Sequence, residues 1–280
     1  PIWLTLARMN DSKGAREQLE KAIELKPDLG RARFILGVIH MEADEDDAAI
    51  TQFRKCIEID SGDLKARENL AAVLARKGKY DEAVKELVTV ALSKEGEPRH
   101  RVALMYLLLQ AKRFRDDDDN LPPEGAAYFG ALFRAAARKG LGEPYSPVLD
   151  TLDEADSDID AECTDYLNDL LFLFGREEAA DYLIKMLTAF RAEGIRSKTV
   201  DLVLARVYMA LDRDAEAETI LLDALAAYPV DKWIHYYLAT IYEKMDKIPE
   251  TEEHLKAYLQ LAPDDPDALN FLGYFYAERG

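Results

Sequence analysis

The chain has 280 residues, of which 49% are hydrophobic and 32% are charged, with 14 glycines and 11 prolines. This composition lies in the globular range and excludes collagen, low-complexity disorder and a disulfide scaffold. The two cysteines, Cys56 and Cys163, are far apart in sequence, so they indicate neither a disulfide framework nor a Cys-x-x-Cys site. We expect both to be core residues. No apolar run approaches the roughly 18 to 20 residues of a membrane span.

Charge is distributed unevenly along a chain whose net charge is -18. Residues 1–113 hold 20 basic and 19 acidic side chains, residues 114–175 hold 4 and 15, and residues 176–280 hold 12 and 20. Nucleic acids and anionic bilayers are bound mainly through clustered Lys and Arg, and the acidic middle would repel them. We therefore expect no nucleic-acid partner and favour a protein or peptide of basic character.

Residues of the same type recur every 34 positions, which indicates an internal repeat. Each unit contains two stretches with apolar residues at helical spacing, a break between them, and often a proline at the end. The sequence therefore predicts an all-α series of antiparallel helix hairpins with no sheet. The recurring residues are Ala15, Ala49 and Ala83; Leu36, Leu70 and Leu104; Leu204, Leu238 and Leu272; Tyr208, Tyr242 and Tyr276; and Pro229 and Pro263.

Small residues occupy one fixed place in each predicted first helix and another in each second helix. Two antiparallel helices approach closely only where one side chain is small, and large side chains fill the spaces between. The sequence thus predicts the core contacts within each hairpin. The small residues are Gly37, Ala71, Ala205, Ala239 and Gly273 in first helices, and Ala15, Ala49, Ala83 and Ala217 in second helices.

Two segments carry a family resemblance. Leu269-x2-Leu272-Gly273-x2-Tyr276 and the turn from Gly78 to Ala83 resemble the tetratricopeptide repeat, and the likeness covers nearly the whole chain. It implies an α-solenoid, a right-handed superhelix of helix-turn-helix hairpins. In this register full repeats occupy residues 30–63, 64–97, 198–231 and 232–265, with half-repeats at 1–29 and 266–280.

The middle of the chain departs from this register. Asp116 to Asp119 and then Pro122-Pro123 interrupt the second helix expected in residues 98–125, which should be a loop or short helix at 114–125. Residues 126–160 read as a degenerate repeat and 161–197 as a long one. We therefore predict an N-terminal array at 1–113, an irregular acidic part at 114–160 and a C-terminal array at 161–280, in one continuous solenoid cut from a longer chain.

The sequence carries no motif for a catalytic, cofactor or metal site. Asp116, Asp118 and Asn120 alternate as in a calcium loop, but Leu121 stands where the loop needs glycine. The four histidines have no zinc-site spacing, and His40 falls at a packing position. Nucleophile elbows, phosphate loops and dinucleotide fingerprints are missing as well. We expect a protein that is not an enzyme and has no cofactor.

The resemblance implies a binding groove whose concave wall is built from first helices. Aromatic, Arg and Met side chains at the wall positions are typical of hot spots and adaptable contacts. Trp233 and Tyr236 either line this groove or pack on neighbouring hairpins or on a further terminal helix. The family register assigns the wall to Arg31, Phe34, Val38 and Met41; Thr199, Leu202, Arg206 and Met209; Trp233, Tyr236, Thr240 and Glu243; and Asp267, Asn270, Tyr274 and Ala277. The expected partner-binding residues among them are Phe34, Met41, Arg206, Met209, Trp233, Tyr236, Asn270 and Tyr274.

Two functions are compatible with such a groove. The first is a scaffold or adaptor that binds a partner protein or peptide, and the ending from Leu269 to Gly280 is similar to that of bacterial envelope members of the family. The second is the recognition arm of a larger enzyme, such as a glycosyltransferase, whose catalytic domain lies outside this chain. The apolar face of residues 266–280 would be covered by a further helix, and we expect the array to continue there.

Overall fold

The computed structural model describes residues 12–94, 96–113, 127–146, 148, 159–195 and 197–279. The long regular elements in these ranges are α-helices, and the ranges contain no strand, which confirms the all-helical prediction. The segment 114–125, the acidic run from Asp116 to Asp119 and the side chain of Cys163 lie outside the described residues. The helices are α1 (Ser12–Leu25), α2 (Gly30–Glu42), α3 (Asp46–Ile59), α4 (Leu64–Arg76), α5 (Tyr80–Ala91), α6 (Pro98–Gln110), α7 (Ala127–Leu141), α8 (Ile159–Phe174), α9 (Arg176–Ala192), α10 (Lys198–Ala210), α11 (Asp214–Ala227), α12 (Lys232–Lys244), α13 (Ile248–Leu261) and α14 (Pro266–Arg279).

The chain divides into two compact units. The first comprises residues 1–126, 140–142 and 172–175, and it contains the hairpins α2/α3 and α4/α5. The second comprises residues 127–139, 143–171 and 176–280, and it contains the hairpins α10/α11 and α12/α13. These four hairpins coincide with the four full repeats read from the sequence. None of the described helices has both the length and the apolar character that a membrane span requires.

Several first helices begin at a side-chain cap that stands at one place of the repeat. Asp63, Ser197, Asp231 and Asp265 stand immediately before α4, α10, α12 and α14, and each accepts a hydrogen bond from a backbone N–H of the first turn. Such a cap satisfies one of the four N–H groups that a helix start leaves without an intrahelical partner. The repeat therefore fixes where each of these first helices begins.

The turn inside several hairpins uses a left-handed backbone at one position of the repeat. Asp44, Gly78 and Lys112 have φ of 56°, 70° and 56°, and Asp212 and Asp246 both have 57°. Within each of these two sets the residues are 34 positions apart. A left-handed residue ends the first helix and reverses the chain, and glycine adopts it without the Cβ penalty that other residues incur. The turn is thus specified by backbone geometry more than by residue type.

The contact between the helices of a hairpin pairs a small residue with a large one. A Cβ built on Gly37 in α2 would lie 2.7 Å from Cε1 of Phe53 in α3, and Phe53 is fully buried. The equivalent positions in the hairpin α4/α5 hold Ala71 and Leu87, both buried. A glycine thus stands where the second helix carries a phenyl ring, and an alanine where it carries leucine.

Candidate functional site

The second unit has a small cavity lined by three successive first helices. It measures about 200 Å³ and is lined by Leu167 and Asn168 of α8, Arg206, Met209 and Ala210 of α10, Thr240, Ile241 and Lys244 of α12, and Asp214 at the start of α11. We call it the wall pocket. It brings together Arg206 and Met209, two residues expected at the binding surface, and adds Thr240 at the matching place of the next repeat.

Arg206 is held in a fixed position at the wall pocket. Its Nη2 donates a hydrogen bond of 2.6 Å to Oγ1 of Thr164, and its guanidinium lies 5.3 Å from the ring centre of Tyr237. A planar guanidinium stacked on an aromatic ring gains a cation–π attraction and loses little freedom when it forms further hydrogen bonds. Arg206 is therefore preorganised as a donor at this surface.

Lys244 provides a second cation at the rim of the wall pocket. Its Nζ lies 2.8 Å from Oδ1 of Asp212 and 3.0 Å from Oδ2 of Asp214. These hydrogen bonds raise the pKa of Lys244, and the hydrogen bond from Lys244 lowers the pKa of Asp212. Lys244 is therefore engaged with two carboxylates at the rim of the wall pocket.

An aromatic cluster lies beside Arg206 in the same unit, formed by Trp233, Tyr236, Tyr237, Tyr258 and Phe271. The ring centres of Trp233 and Tyr258 are 6.0 Å apart, and those of Tyr236 and Tyr258 are 5.7 Å apart. Tyr237 and Tyr258 are fully buried, whereas Trp233 and Tyr236 are half-buried. Trp233 and Tyr236 therefore pack on the neighbouring helix and still present part of their surface.

The remaining expected binding residues are dispersed. Asn270 and Tyr274 lie on α14, where both are exposed and Tyr274 keeps 58% of its surface. Phe34 lies in the first unit and lines a cavity of about 280 Å³ with Arg31, Cys56 and Lys65, among others. Met41, half-buried, is in the same unit, and its carbonyl accepts a hydrogen bond from Arg76.

Two wall positions assigned by the family register are wrong. Thr199 and Leu202 of α10 have no exposed surface and cannot line an open groove. The helices packed around α10 cover this first part of it, so only Arg206 and Met209 further along reach the wall pocket. For Asp267, the side chain lies outside the described residues.

Sequence reasoning missed Asn168 and Lys244, which complete the wall pocket. Asn168 lies in the repeat at 161–197, which is longer than 34 residues, so the register of its neighbours could not be transferred to it. Lys244 follows the last assigned place of its repeat by one residue. The signal that was available is its spacing of 32 residues from Asp212, which the pair Arg76 and Asp44 also shows.

Histidine and cysteine side chains take packing roles. His40 is buried and lies 2.5 Å from Glu45 through Nδ1, as its packing position predicted. Cys56 is buried, which raises the pKa of its thiol to about 11. His235 and His254 face each other with 2.8 Å between their Nδ1 atoms. Within the described ranges, no three His, Cys, Asp or Glu side chains converge as a metal site requires.

Comparison with known proteins agrees with the repeat read from the sequence. A family model described as tetratricopeptide repeat matches residues 4–64 and 202–266. No relative was found among curated proteins.

Solved structures with similar folds include three bacterial proteins. A tetratricopeptide repeat protein from Parabacteroides merdae is 13% identical, with 98% of this chain and 96% of that chain covered and a TM-score of 0.46. A thermophilic one from Thermus thermophilus is 19% identical, with 89% and 99% covered and a TM-score of 0.35. PilF of Pseudomonas aeruginosa is 16% identical, with 98% and 94% covered and a TM-score of 0.32.

The family model matches segments near both ends of the chain, and the hairpin α4/α5 continues the 34-residue register after the first of them. Small residues and left-handed turns recur at the same places in matched and unmatched hairpins alike. The chain therefore contains repeats of the tetratricopeptide family, which the family model matches over residues 4–64 and 202–266.

Proposed function

We propose that the chain is a non-catalytic scaffold that binds a partner protein or peptide through the wall pocket and the adjoining aromatic cluster of its second unit. The observation that carries the proposal is the placement of Arg206 and Met209 in one cavity beside the half-buried Trp233 and Tyr236. Anchors of this kind, partly desolvated and next to a cavity, are typical of interface hot spots.

The polar groups of the wall pocket suit an extended polypeptide backbone. Arg206 and the amide of Asn168 can donate hydrogen bonds to main-chain carbonyl groups, and the same amide can accept one from an N–H. Met209 is unbranched and flexible, so it adapts to different apolar side chains. These properties support a peptide ligand whose backbone binds in the wall pocket and whose apolar or aromatic side chain packs on the aromatic cluster.

The proposed partner has basic character. Residues 114–175 and 176–280 carry net charges of -11 and -8, and an acidic surface accelerates the association of a basic partner. Asp116 to Asp119, which lie outside the described residues, are the proposed steering group. The finer form of the proposal is a role in assembling a bacterial envelope complex, and it rests on the similarity of the ending at Leu269 to Gly280 alone.

The test selects peptides from a random displayed library against the folded chain and measures the binding kinetics of a selected peptide by surface plasmon resonance. Met209→Lys places a long charged side chain in the wall pocket, and we expect it to weaken binding at least about tenfold. Met245→Lys is the matched control, because Met245 is exposed and lies outside the pocket. If the selected peptides bind both variants as tightly as the parent chain, the wall pocket is not the binding site.

A second pair of variants separates anchoring from steering. Replacing Trp233 and Tyr236 by Ala should speed dissociation and cost roughly 2 kcal/mol of binding free energy, with helical content checked by circular dichroism. Replacing Asp116 to Asp119 by Asn should instead slow association and reduce its dependence on salt. If affinity is unchanged in the folded aromatic variant, these rings belong to the core alone.

A further inference from the structure

A larger cavity lies elsewhere in the second unit, beside α10 and between the second helices α9 and α11. It measures about 430 Å³, within the range of about 300 to 1,000 Å³ that is typical of ligand sites. None of the described residues that line it also lines the wall pocket. We call it the Ile220 cavity. Its apolar walls and its charged end are formed respectively by Ile195, Leu204 and Ile220, and by Arg191, Asp201 and Asp223.

The cavity is open because the hairpin α10/α11 lacks a contact that the other three full repeats have. In those repeats the fourth and the twenty-third residue meet between the two helices. The pairs are Arg33 and Gln52 at 3.1 Å, Arg67 and Glu86 at 2.5 Å, and His235 and His254 at 2.8 Å. In the hairpin α10/α11 the same two places hold Asp201 and Ile220. An isoleucine side chain cannot form a polar bridge, so Asp201 pairs with Arg191 of α9 instead, and the space beside Ile220 stays open.

Arg191 is held at the charged end by carboxylates of two helices. Its Nε lies 3.1 Å from Oδ1 of Asp201, and its Nη2 donates a hydrogen bond to Oδ2 of Asp223. Asp201 and Asp223 interact with further groups as well. A charged ligand would have to break these ion pairs or leave its own charge beside the apolar walls, and both are costly. The cavity therefore favours an uncharged ligand.

Two groups of the lining favour an aromatic ring among uncharged ligands. The guanidinium of Arg191 is fixed by its ion pairs, and a planar guanidinium stacks favourably on an aromatic ring. Tyr208 contributes a half-buried ring, with the guanidinium of Arg213 lying 4.8 Å from its centre. Aromatic rings attract each other beyond the apolar area that they bury. An aliphatic ligand would make neither of these interactions.

The opening of the cavity suits a side chain that enters from outside. Thr188, Ala192 and Gly194 of its lining are exposed, so a ring can enter while the chain that carries it stays on the surface. The geometry points to a second binding site, in which the Ile220 cavity takes one uncharged aromatic side chain of a partner polypeptide. The ring packs on Ile195 and Ile220 beside the guanidinium of Arg191. This site does not depend on the proposed role of the wall pocket.

The test titrates Nα-acetyl-tryptophan amide into the complete chain with labelled isoleucine methyl groups and follows binding by NMR. The methyl signals of Ile195 and Ile220 should move upfield along saturable curves, because these methyl groups would lie over the face of the bound ring. The signal of Ile39, in the first unit, should not move. Nα-acetyl-leucine amide, which has no ring, and Nα-acetyl-arginine amide, which is charged, should each bind at least about tenfold more weakly.

Ile220→Phe supplies the matched test within the protein. Its own ring would fill the cavity, so we expect the tryptophan probe to give no saturable shift at Ile195 in this variant. Ile248→Phe is the control, because it makes the same substitution at an exposed place on α13 outside the cavity. Arg191→Lys keeps a positive charge beside the carboxylates but removes the planar group, and we expect it to weaken binding of the tryptophan probe about threefold.

Any of four results would overturn the assignment. Three concern the probes: no saturable shift at either isoleucine, equal affinity for the tryptophan probe and one of the other two, and binding of free indole without binding of the tryptophan probe. The fourth is unchanged affinity for the tryptophan probe in Ile220→Phe or Arg191→Lys when the methyl spectrum of the variant is dispersed. None of them bears on peptide binding at the wall pocket, which the Met209→Lys variant tests separately.

Discussion

Gly37→Ala is the substitution for which the structure predicts an effect opposite to the one that helix propensity alone would give. In an open helix the change should stabilise by about 0.5 to 1 kcal/mol, because alanine loses less backbone entropy than glycine. In α2, however, the new Cβ would lie 2.7, 2.9 and 3.1 Å from three carbon atoms of the Phe53 ring. Phe53 is fully buried, so the ring has little room to move.

The magnitude follows from these two opposing contributions. Overpacking of this kind costs about 1 to 3 kcal/mol, so we expect a net destabilisation of about 1 kcal/mol. Gly273 occupies the same place of the repeat in α14, and a Cβ there would meet nothing within 4 Å. Gly273→Ala should therefore stabilise α14 by about 0.5 to 1 kcal/mol. The two substitutions are chemically identical and differ only in what covers the helix.

The assay is urea unfolding followed by circular dichroism, with hydrogen exchange of residues 266–279 to detect a local gain in α14. The double variant Gly37→Ala with Phe53→Leu recreates the pair found at Ala71 and Leu87, so in the Phe53→Leu background the alanine should no longer destabilise. Equal stability of Gly37→Ala and the parent chain, or an equal destabilisation by Gly273→Ala, would refute the predicted role of Phe53.

Two further predictions concern turns and pH. Lys112 and Gly78 both have left-handed φ, so Lys112→Gly should stabilise the folded chain by about 0.5 to 1 kcal/mol and Gly78→Ala should destabilise it by about 1 kcal/mol. The midpoints of urea unfolding measure both changes. A loss of stability in Lys112→Gly would contradict this prediction. Burial, and then the neighbouring His235, lower the pKa of His254 below its ordinary 6.5. The unfolded chain thus binds the proton more readily, and the stability that this site contributes above pH 6.5 is lost as the pH falls below it. His254→Phe should flatten that pH dependence in unfolding experiments at pH 5.5 and 7.5, and an equally steep loss in the variant would exclude His254 as its source.

The candidate site could be read from the sequence only in part. The family register assigned Arg206 and Met209 to one wall, and both residues line one cavity, since their helix keeps the 34-residue spacing. The same register failed for Thr199 and Leu202, because a register gives the face of a helix and not how far neighbouring helices cover it. A second cavity in this unit, lined by Arg191, Asp201 and Asp223 among others, was not recognised in the sequence, because its polar groups come from three helices, although Arg191 and Asp223 are 32 residues apart.

The sequence by itself determined the helices, their pairing into hairpins and the tetratricopeptide character of the repeats. These follow from local rules: apolar periodicity sets each helix, capping residues such as Asp231 and Asp265 set its start, and small residues mark the close contacts. Only the tertiary structure decided that Gly37 packs closely against the ring of Phe53, whereas Gly273 has no atom within 4 Å of the position where a Cβ would lie. It also decided that Trp233 and Tyr236 are half-covered by a neighbouring helix. Burial and charge proximity depend on side chains that other helices contribute, and the repeat pattern of one helix does not say how large those side chains are.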